Sequence, residues 1–359
     1  MNKIDELINE LCHDGVKFER LDGACTFKRG TTITASNTRE GKIPVISGGK
    51  KPAYYHNEHN RSGETISVSG SGAYAGFVSY WDVPVYLSDS FSVTPIGDTL
   101  TTKYLYYFLK NKQDYIYTMK TGGGIPHIYG KDLAKLKIPL PPIEVQNEIV
   151  NILDRFVKLE AELEAELEAR EKQYEFYRGT IFNPITKCAK LKKVAKLKNG
   201  KDWKHLNRGK YPVYGTGGVM EYVDEYVYNK PTVLIPRKGS INNVFYIDEP
   251  FWNIDTIYYA EINESLIIPK YFYYFITSID LTKLDTGSGR PSLTQSILNE
   301  IDVPLPALEE QNKIISVLDK FEKLINDITI GLPAEIEMRK KQYEYYRDKL
   351  LTFEVLNNE

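Results

Sequence analysis

The chain has 359 residues, 42% of them hydrophobic, and a formal net charge of −2. That length predicts two domains, and the lack of any signal peptide or apolar run of transmembrane length predicts a cytoplasmic protein rather than a membrane one. The balanced charge excludes a global basic field. Cys12, Cys25 and Cys188 are scattered with no pair at metal spacing, which fits a reducing cytoplasm.

Met1 to Cys12 reads as a short amphipathic helix with Ile4, Leu7, Ile8 and Leu11 on one face. It is too short to stand alone in water and should dock on another helix. From Val16 to Pro142 the signals are strands and turns. Ile43 to Ile46, Thr65 to Val68, Phe77 to Trp81 and Phe91 to Val93 are the strand candidates, and Lys103 to Lys110 looks helical. A glycine loop, Thr121 to His127, follows.

The run Pro139-Leu140-Pro141-Pro142-Ile143-Glu144-Val145-Gln146 then opens a long helix, Ile143 to Phe182. Ile149, Leu153, Phe156, Leu159, Leu163, Leu167, Arg170, Tyr174, Tyr177 and Ile181 follow each other at steps of three and four, one stripe on one face of the helix. At about 1.5 Å per residue the helix is roughly 55–60 Å long, more stripe than one small domain can cover. It needs a partner helix.

Lys187 to Lys210 holds ten basic residues against Asp202 alone, a segment expected to attract nucleic acid. From about Lys190 the first half is repeated. Lys210 to Tyr214 matches Lys42 to Ile46, Thr232 to Ile235 matches Thr65 to Val68, Lys270 to Phe275 matches Lys103 to Phe108, and the loop from Thr286 matches that from Thr121. The loops themselves differ: Ser69-Gly70-Ser71-Gly72-Ala73 stands against Pro236-Arg237-Lys238-Gly239-Ser240. The long-helix motif returns as Pro304-Leu305-Pro306-Ala307-Leu308-Glu309-Glu310-Gln311. Gly331 and Pro333 interrupt this second copy, predicting segments at about 308–330 and 333–352.

No catalytic constellation emerges. Gly124-x5-Gly130-Lys131-Asp132 fails the P-loop pattern, Asn183-Pro184-Ile185-Thr186 lacks the second proline and aromatic of an amino-methyltransferase loop, and His56 and His59 have no third ligand. The chain reads as a binder, not an enzyme.

Two variable halves, each followed by a Pro-Leu-Pro-x-[Ile/Leu]-Glu-x-Gln-x-x-Ile-x-x-x-Leu-Asp helix, and a tail Gly331-Leu332-Pro333-Ala334-Glu335-Ile336 with Lys341-Gln342-Tyr343-Glu344-Tyr345-Tyr346-Arg347, resemble the DNA-specificity (S) subunits of Type I restriction–modification enzymes. The resemblance implies an α+β fold: two pseudo-repeated globular target-recognition domains separated by two long antiparallel coiled-coil helices. Its domains would be residues 1–142, a central helix at 143–182, residues 183–307, and a helical region at 308–359. It implies double-stranded DNA as ligand, two methyltransferase (M) subunits and motor-nuclease (R) subunits as partners, and no cofactor on this chain. S-adenosylmethionine, ATP and Mg would belong to the partners. The spacing from Leu159 to Arg170 is 11 and from Leu324 to Arg339 is 15, so the repeat departs from strict symmetry. A scaffold that assembles methyltransferase subunits without reading DNA is the alternative.

Within that reading, the variable loops supply the expected base contacts: Lys50, Ser69, Ser71, Tyr74, Lys120 and His127 in the first half, and Arg237, Lys238, Asn242, Asn243, Arg290 and Ser292 in the second. Arg or Lys pairs with guanine and Asn with adenine in the major groove. Tyr174, Phe176, Tyr177, Tyr343, Tyr345 and Tyr346 offer more apolar surface than one helix pair can bury, and are the expected methyltransferase contacts.

Overall fold

The computed structural model describes residues 3–122, 124–285 and 291–356. In chain order the elements are α1 (Lys3–Leu11), β1 (Lys17–Arg20), α2 (Leu21–Ala24), β2 (Cys25–Arg29), β3 (Ile43–Ile46), β4 (Tyr54–His56), β5 (Thr65–Ser69), β6 (Val78–Trp81), β7 (Tyr86–Leu87), β8 (Ser90–Pro95), α3 (Thr102–Asn111), α4 (Gln113–Thr118), α5 (Gly130–Leu133), β9 (Lys137–Leu140) and α6 (Ile143–Thr180). There follow β10 (Cys188–Lys190), α7 (Leu191–Val194), β11 (Ala195–Asn199), β12 (Arg208–Gly215), β13 (Gly218–Val223), β14 (Thr232–Pro236), β15 (Phe245–Ile247), β16 (Trp252–Asn253), β17 (Ile257–Ile262), α8 (Pro269–Ser278), α9 (Gln295–Asn299), β18 (Asp302–Pro304), α10 (Leu308–Asn326) and α11 (Leu332–Leu350). They form two compact units, one of residues 1–162 with 336–359, the other of 163–335.

In the first unit a four-stranded sheet of order β2-β8-β5-β6 lies beside a three-stranded sheet β4-β3-β7 and a separate pair β1-β9. All five residues of β5 are buried, so the strand reads as a continuous run rather than an alternation. α3 covers this sheet with Tyr104, Leu105, Tyr107, Phe108 and Leu109. Its first turn is held by Thr101, whose hydroxyl accepts from the Tyr104 N–H. The same core takes in Ile4 of α1, Val145, Ile149 and Leu153 of α6, and Leu350 of α11. Phe156 stacks on Tyr346 at 5.4 Å, and Lys340 reaches Glu160 at 3.4 Å. As α6 advances α11 recedes, so this pairing is antiparallel, as expected.

The second unit repeats the topology: β11-β17-β14-β15, β13-β12-β16, and β10-β18. α8 packs on β14 and β15, and its Tyr271, Phe272 and Tyr274 are fully buried. Here Tyr174 and Tyr177 of α6 lie 6.2 and 5.6 Å from the Phe321 ring of α10.

The repeated motif has a mechanical explanation. Gln146 and Gln311 are fully buried. The Gln146 amide donates to the carbonyls of Thr99 and Pro141 at 2.8 Å and accepts from the Thr101 N–H at 2.9 Å. Gln311 does the same with Leu266, Pro306 and Ile268. The Asp of each Leu-Asp pair then ties the helix to its globular part. Asp154 accepts from Tyr107 Oη (2.6 Å) and Lys103 Nζ (2.5 Å), and Asp319 from Tyr274 and Lys270.

Two helices end earlier than expected. α6 stops at Thr180 rather than Phe182. The first C-terminal segment ends at Asn326 rather than 330, because the Asp327 carboxylate accepts from the N–H groups of Thr329 and Ile330 at 2.8 and 3.2 Å and turns the chain there.

Candidate nucleic-acid interface

In the first unit three loops converge at one end of the sheets: the one after β3, the one after β5, and the one before α5. Gly72 N–H donates to Pro126 O and Ile128 N–H to Gly70 O, both at 2.9 Å, while Ser71 and His127 pair as a bridge. Gly72 sits at φ +84°, a left-handed conformation that a side chain resists. At Gly48 a Cβ would lie 2.4 Å from Ser71 O, so only glycine lets the first loop approach the second.

The second unit builds the same clasp. Gly239, at φ +83°, donates to Pro291 O at 3.2 Å, Leu293 N–H donates to Arg237 O at 2.8 Å, and Lys238 pairs with Ser292. One backbone frame thus presents Ser71 and His127 in one unit and Lys238 and Ser292 in the other. Asn243 Nδ2 reaches across to Thr216 O at 2.9 Å.

The candidates divide by what their side chains do. Lys50, Tyr74, Lys238, Asn242 and Asn243 are exposed, and Ser71, Lys120, His127, Arg237 and Ser292 are half-buried. Ser69 differs from the others: it is 3% exposed, and its hydroxyl donates to the carbonyls of Ser47 and Gly49. It braces the loops and presents nothing outward. Ser71 is hydrogen-bonded to Asp89, whose other oxygen lies 3.9 Å from Arg29. Arg290 lies outside the described residues. Beside this clasp is a cavity of about 240 Å³ with Phe27, Phe91 and Ile128 in its wall and Arg29, Asp89 and Lys131 among its polar lining. None of these was singled out from the sequence as a contact, because no motif links residues so far apart.

The lysine-rich segment is less basic in space than in sequence. Lys190 pairs with Asp302, Lys192 with Glu300, and Lys198 with Glu261. The excess of ten to one is a property of the strand order, since the acidic partners come from distant residues.

The aromatic tails also divide. Tyr174 is buried and donates to Glu322 at 2.9 Å, and Tyr343 is half-buried against Phe156. Phe176 and Tyr345 are 66% and 63% exposed, each edge-on to its neighbour Tyr177 or Tyr346. Burial pushes the Tyr174 phenol up from its ordinary value, aided by Glu322. Burial likewise raises Tyr343 to about 12. Among the described residues no group of His, Cys, Asp and Glu is placed to hold a metal. His56 is buried, and its Nδ1 accepts from the Arg39 N–H at 3.0 Å. No described helix is long and apolar enough to cross a membrane.

Comparison with known proteins places this architecture. The model of the Type I restriction modification DNA specificity domain matches twice, over residues 13–169 and 187–338. A putative type I restriction enzyme specificity subunit of Haemophilus influenzae is 31% identical over 89% of this chain and 91% of its own length. The EcoR124I/EcoR124II specificity subunit of Escherichia coli is 31% identical over 73% of each chain. The crystal structure of an S subunit from M. genitalium superposes with a TM-score of 0.61 over 94% of this chain and 96% of that one, at 22% identity.

Proposed function

The chain belongs to the Type I restriction modification DNA specificity family, and from that premise we propose that it reads a bipartite sequence in double-stranded DNA, one part with each unit, and places methyltransferase and restriction subunits on it. The observation that carries the proposal is the duplicated loop clasp. An identical backbone frame holds different polar side chains, Ser71 and His127 against Lys238 and Ser292, which is how one scaffold would read two unlike half-sites. Base edges in the major groove present donor and acceptor patterns that such side chains match.

The chain itself is assigned no chemistry. Methyl transfer with S-adenosylmethionine, and ATP and Mg use, fall to two M subunits and to R subunits respectively. The exposed Phe176 and Tyr345 are the proposed points of M attachment, since aromatics with most of their surface in water are what interfaces recruit.

The scaffold alternative differs in one outcome. In filter binding with genomic DNA, the specificity reading expects retention of selected fragments, sharpened by the methyltransferase subunit. A scaffold would retain none above background. Mapping methylated adenines then tests the loops: Arg237→Ala should relax preference at one base position, and an unchanged motif would remove Arg237 from the readers.

A further inference from the structure

The first unit carries a set of cations that pair with no carboxylate of a described residue. Lys50 Nζ stands over the Tyr74 ring, 5.0 Å from its centroid, and 5.7 Å from that of Phe77. Lys110, at the C-terminal end of α3, stands over Phe77 at 4.5 Å. Lys120 stands over Tyr117 at 4.3 Å and donates to Ala73 O at 3.0 Å. No carboxylate of a described residue comes within 4.0 Å of any of the three ammonium groups.

An aromatic face attracts an ammonium group but takes up only one side of it, so each lysine keeps N–H donors for another acceptor. The cluster is also electrostatically costly as it stands. Lys110 is held below the ordinary lysine range, by burial first and then by the charges of Lys50 and Arg347. An anion placed among these groups would relieve both. The rings limit how far each side chain can swing, so the positive charge stays close to the Ser71–His127 clasp, to which Lys120 is joined through Ala73.

We propose that Lys50, Lys110 and Lys120 form a seat for phosphate groups of duplex DNA, setting the register of the first unit without reading bases. The proposal rests on the DNA reading above and gives Lys50 and Lys120 a different task from base pairing. It also brings in Lys110, which belongs to a helix rather than a variable loop. The second unit has Thr277 at the position that repeats Lys110, so the seat belongs to one unit only. Phosphate contacts fix orientation and carry no sequence information themselves.

The test is Lys110→Gln in the full chain, with Lys110→Arg as the charge-retaining variant. Binding is measured over a salt series, to genomic fragments selected by the wild-type chain and to random duplexes of equal length. Lys110→Gln should weaken both by the same factor and reduce the slope of log affinity against log salt by about 1. Lys110→Arg should restore both, and the map of methylated adenines should not change. A thermal transition equal to wild type for both variants excludes misfolding as the cause. An unchanged affinity and slope, a loss confined to the selected fragments, or an altered motif would each overturn the seat. A wild-type chain that binds no duplex even at low salt would bring down the DNA reading itself, and is seen before any variant is made.

Discussion

Gln146 and Gln311 show how much one side chain can organise. Each amide satisfies two carbonyls and one N–H from separate segments, with no exposure to solvent. Replacing Gln146 with Ala leaves those backbone groups without partners, which should cost about 2–3 kcal/mol. Urea unfolding of the full chain reads this directly, and a change below about 0.5 kcal/mol would mean that water takes over the amide's role. The buried tyrosines give a pH dependence. Burial, with help from Asp154 and Asp319, raises the phenols of Tyr107 and Tyr274, and burial raises those of Tyr104 and Tyr271. The folded state therefore keeps protons that the unfolded chain gives up. The stability this contributes is whole below the unfolded value of 10.0 and is lost as pH climbs beyond it, through about 12 for Tyr343. An alkaline titration should show a late phenolate phase that coincides with loss of helical circular dichroism. Titration of every tyrosine in one step, with structure intact, would refute this.

At the scale of elements, the turn between α10 and α11 depends on Gly331. A Cβ there would lie 2.6–2.8 Å from the carbonyl oxygens of Asp327, Lys323 and Leu324, and backbone atoms cannot step aside as a flexible side chain can. Gly331→Ala should therefore lower the melting temperature and disturb helix packing, whereas Ala at the open Gly179 should not. For the exposed rings, replacing Phe176 and Tyr345 with Glu should abolish co-purification of the methyltransferase while the chain keeps its thermal transition; intact co-purification would reassign the interface. These helices were legible in the sequence because a stripe of period 3.6 survives inspection of one segment at a time, and β3 and β5 were legible from their β-branched runs between glycine turns. The use of Gln146 was not, because the Thr101 it holds lies 45 residues away. The inward turn of Ser69 and the pairing of Lys192 with Glu300 escaped for the same reason. Nor does any local signal put Lys50 and Lys110 over one ring, since a residue's rotamer and neighbours are set by tertiary packing.

At the scale of the whole molecule, α6 runs unbroken for 38 residues, about 57 Å at 1.5 Å per residue. If it sets the unread gap between half-sites, duplicating Glu162-Leu163-Glu164-Ala165 adds about 6 Å, or one to two base pairs at about 3.4 Å each. The apolar stripe nearly survives, since four residues exceed one turn by only about 40°. Methylated-adenine maps of the duplication variant should show a longer gap between unchanged half-sites. The same gap, or new half-sites, would exclude α6 as the ruler.

The first unit is assembled from both ends of the described chain: Val16 pairs with Val355, and Leu350 and Leu351 enter the core that holds Ile4 and Val145. The ribosome delivers residues 336–359 only after all of 163–335. The unit begun first is thus the one finished last. During synthesis the second unit can close while the first waits with part of its apolar core uncovered. A nascent chain arrested after residue 335 and cleared of the exit tunnel should already protect residues 163–335 from protease and leave residues 1–142 open to cleavage, reversing the usual order in which a growing chain becomes safe.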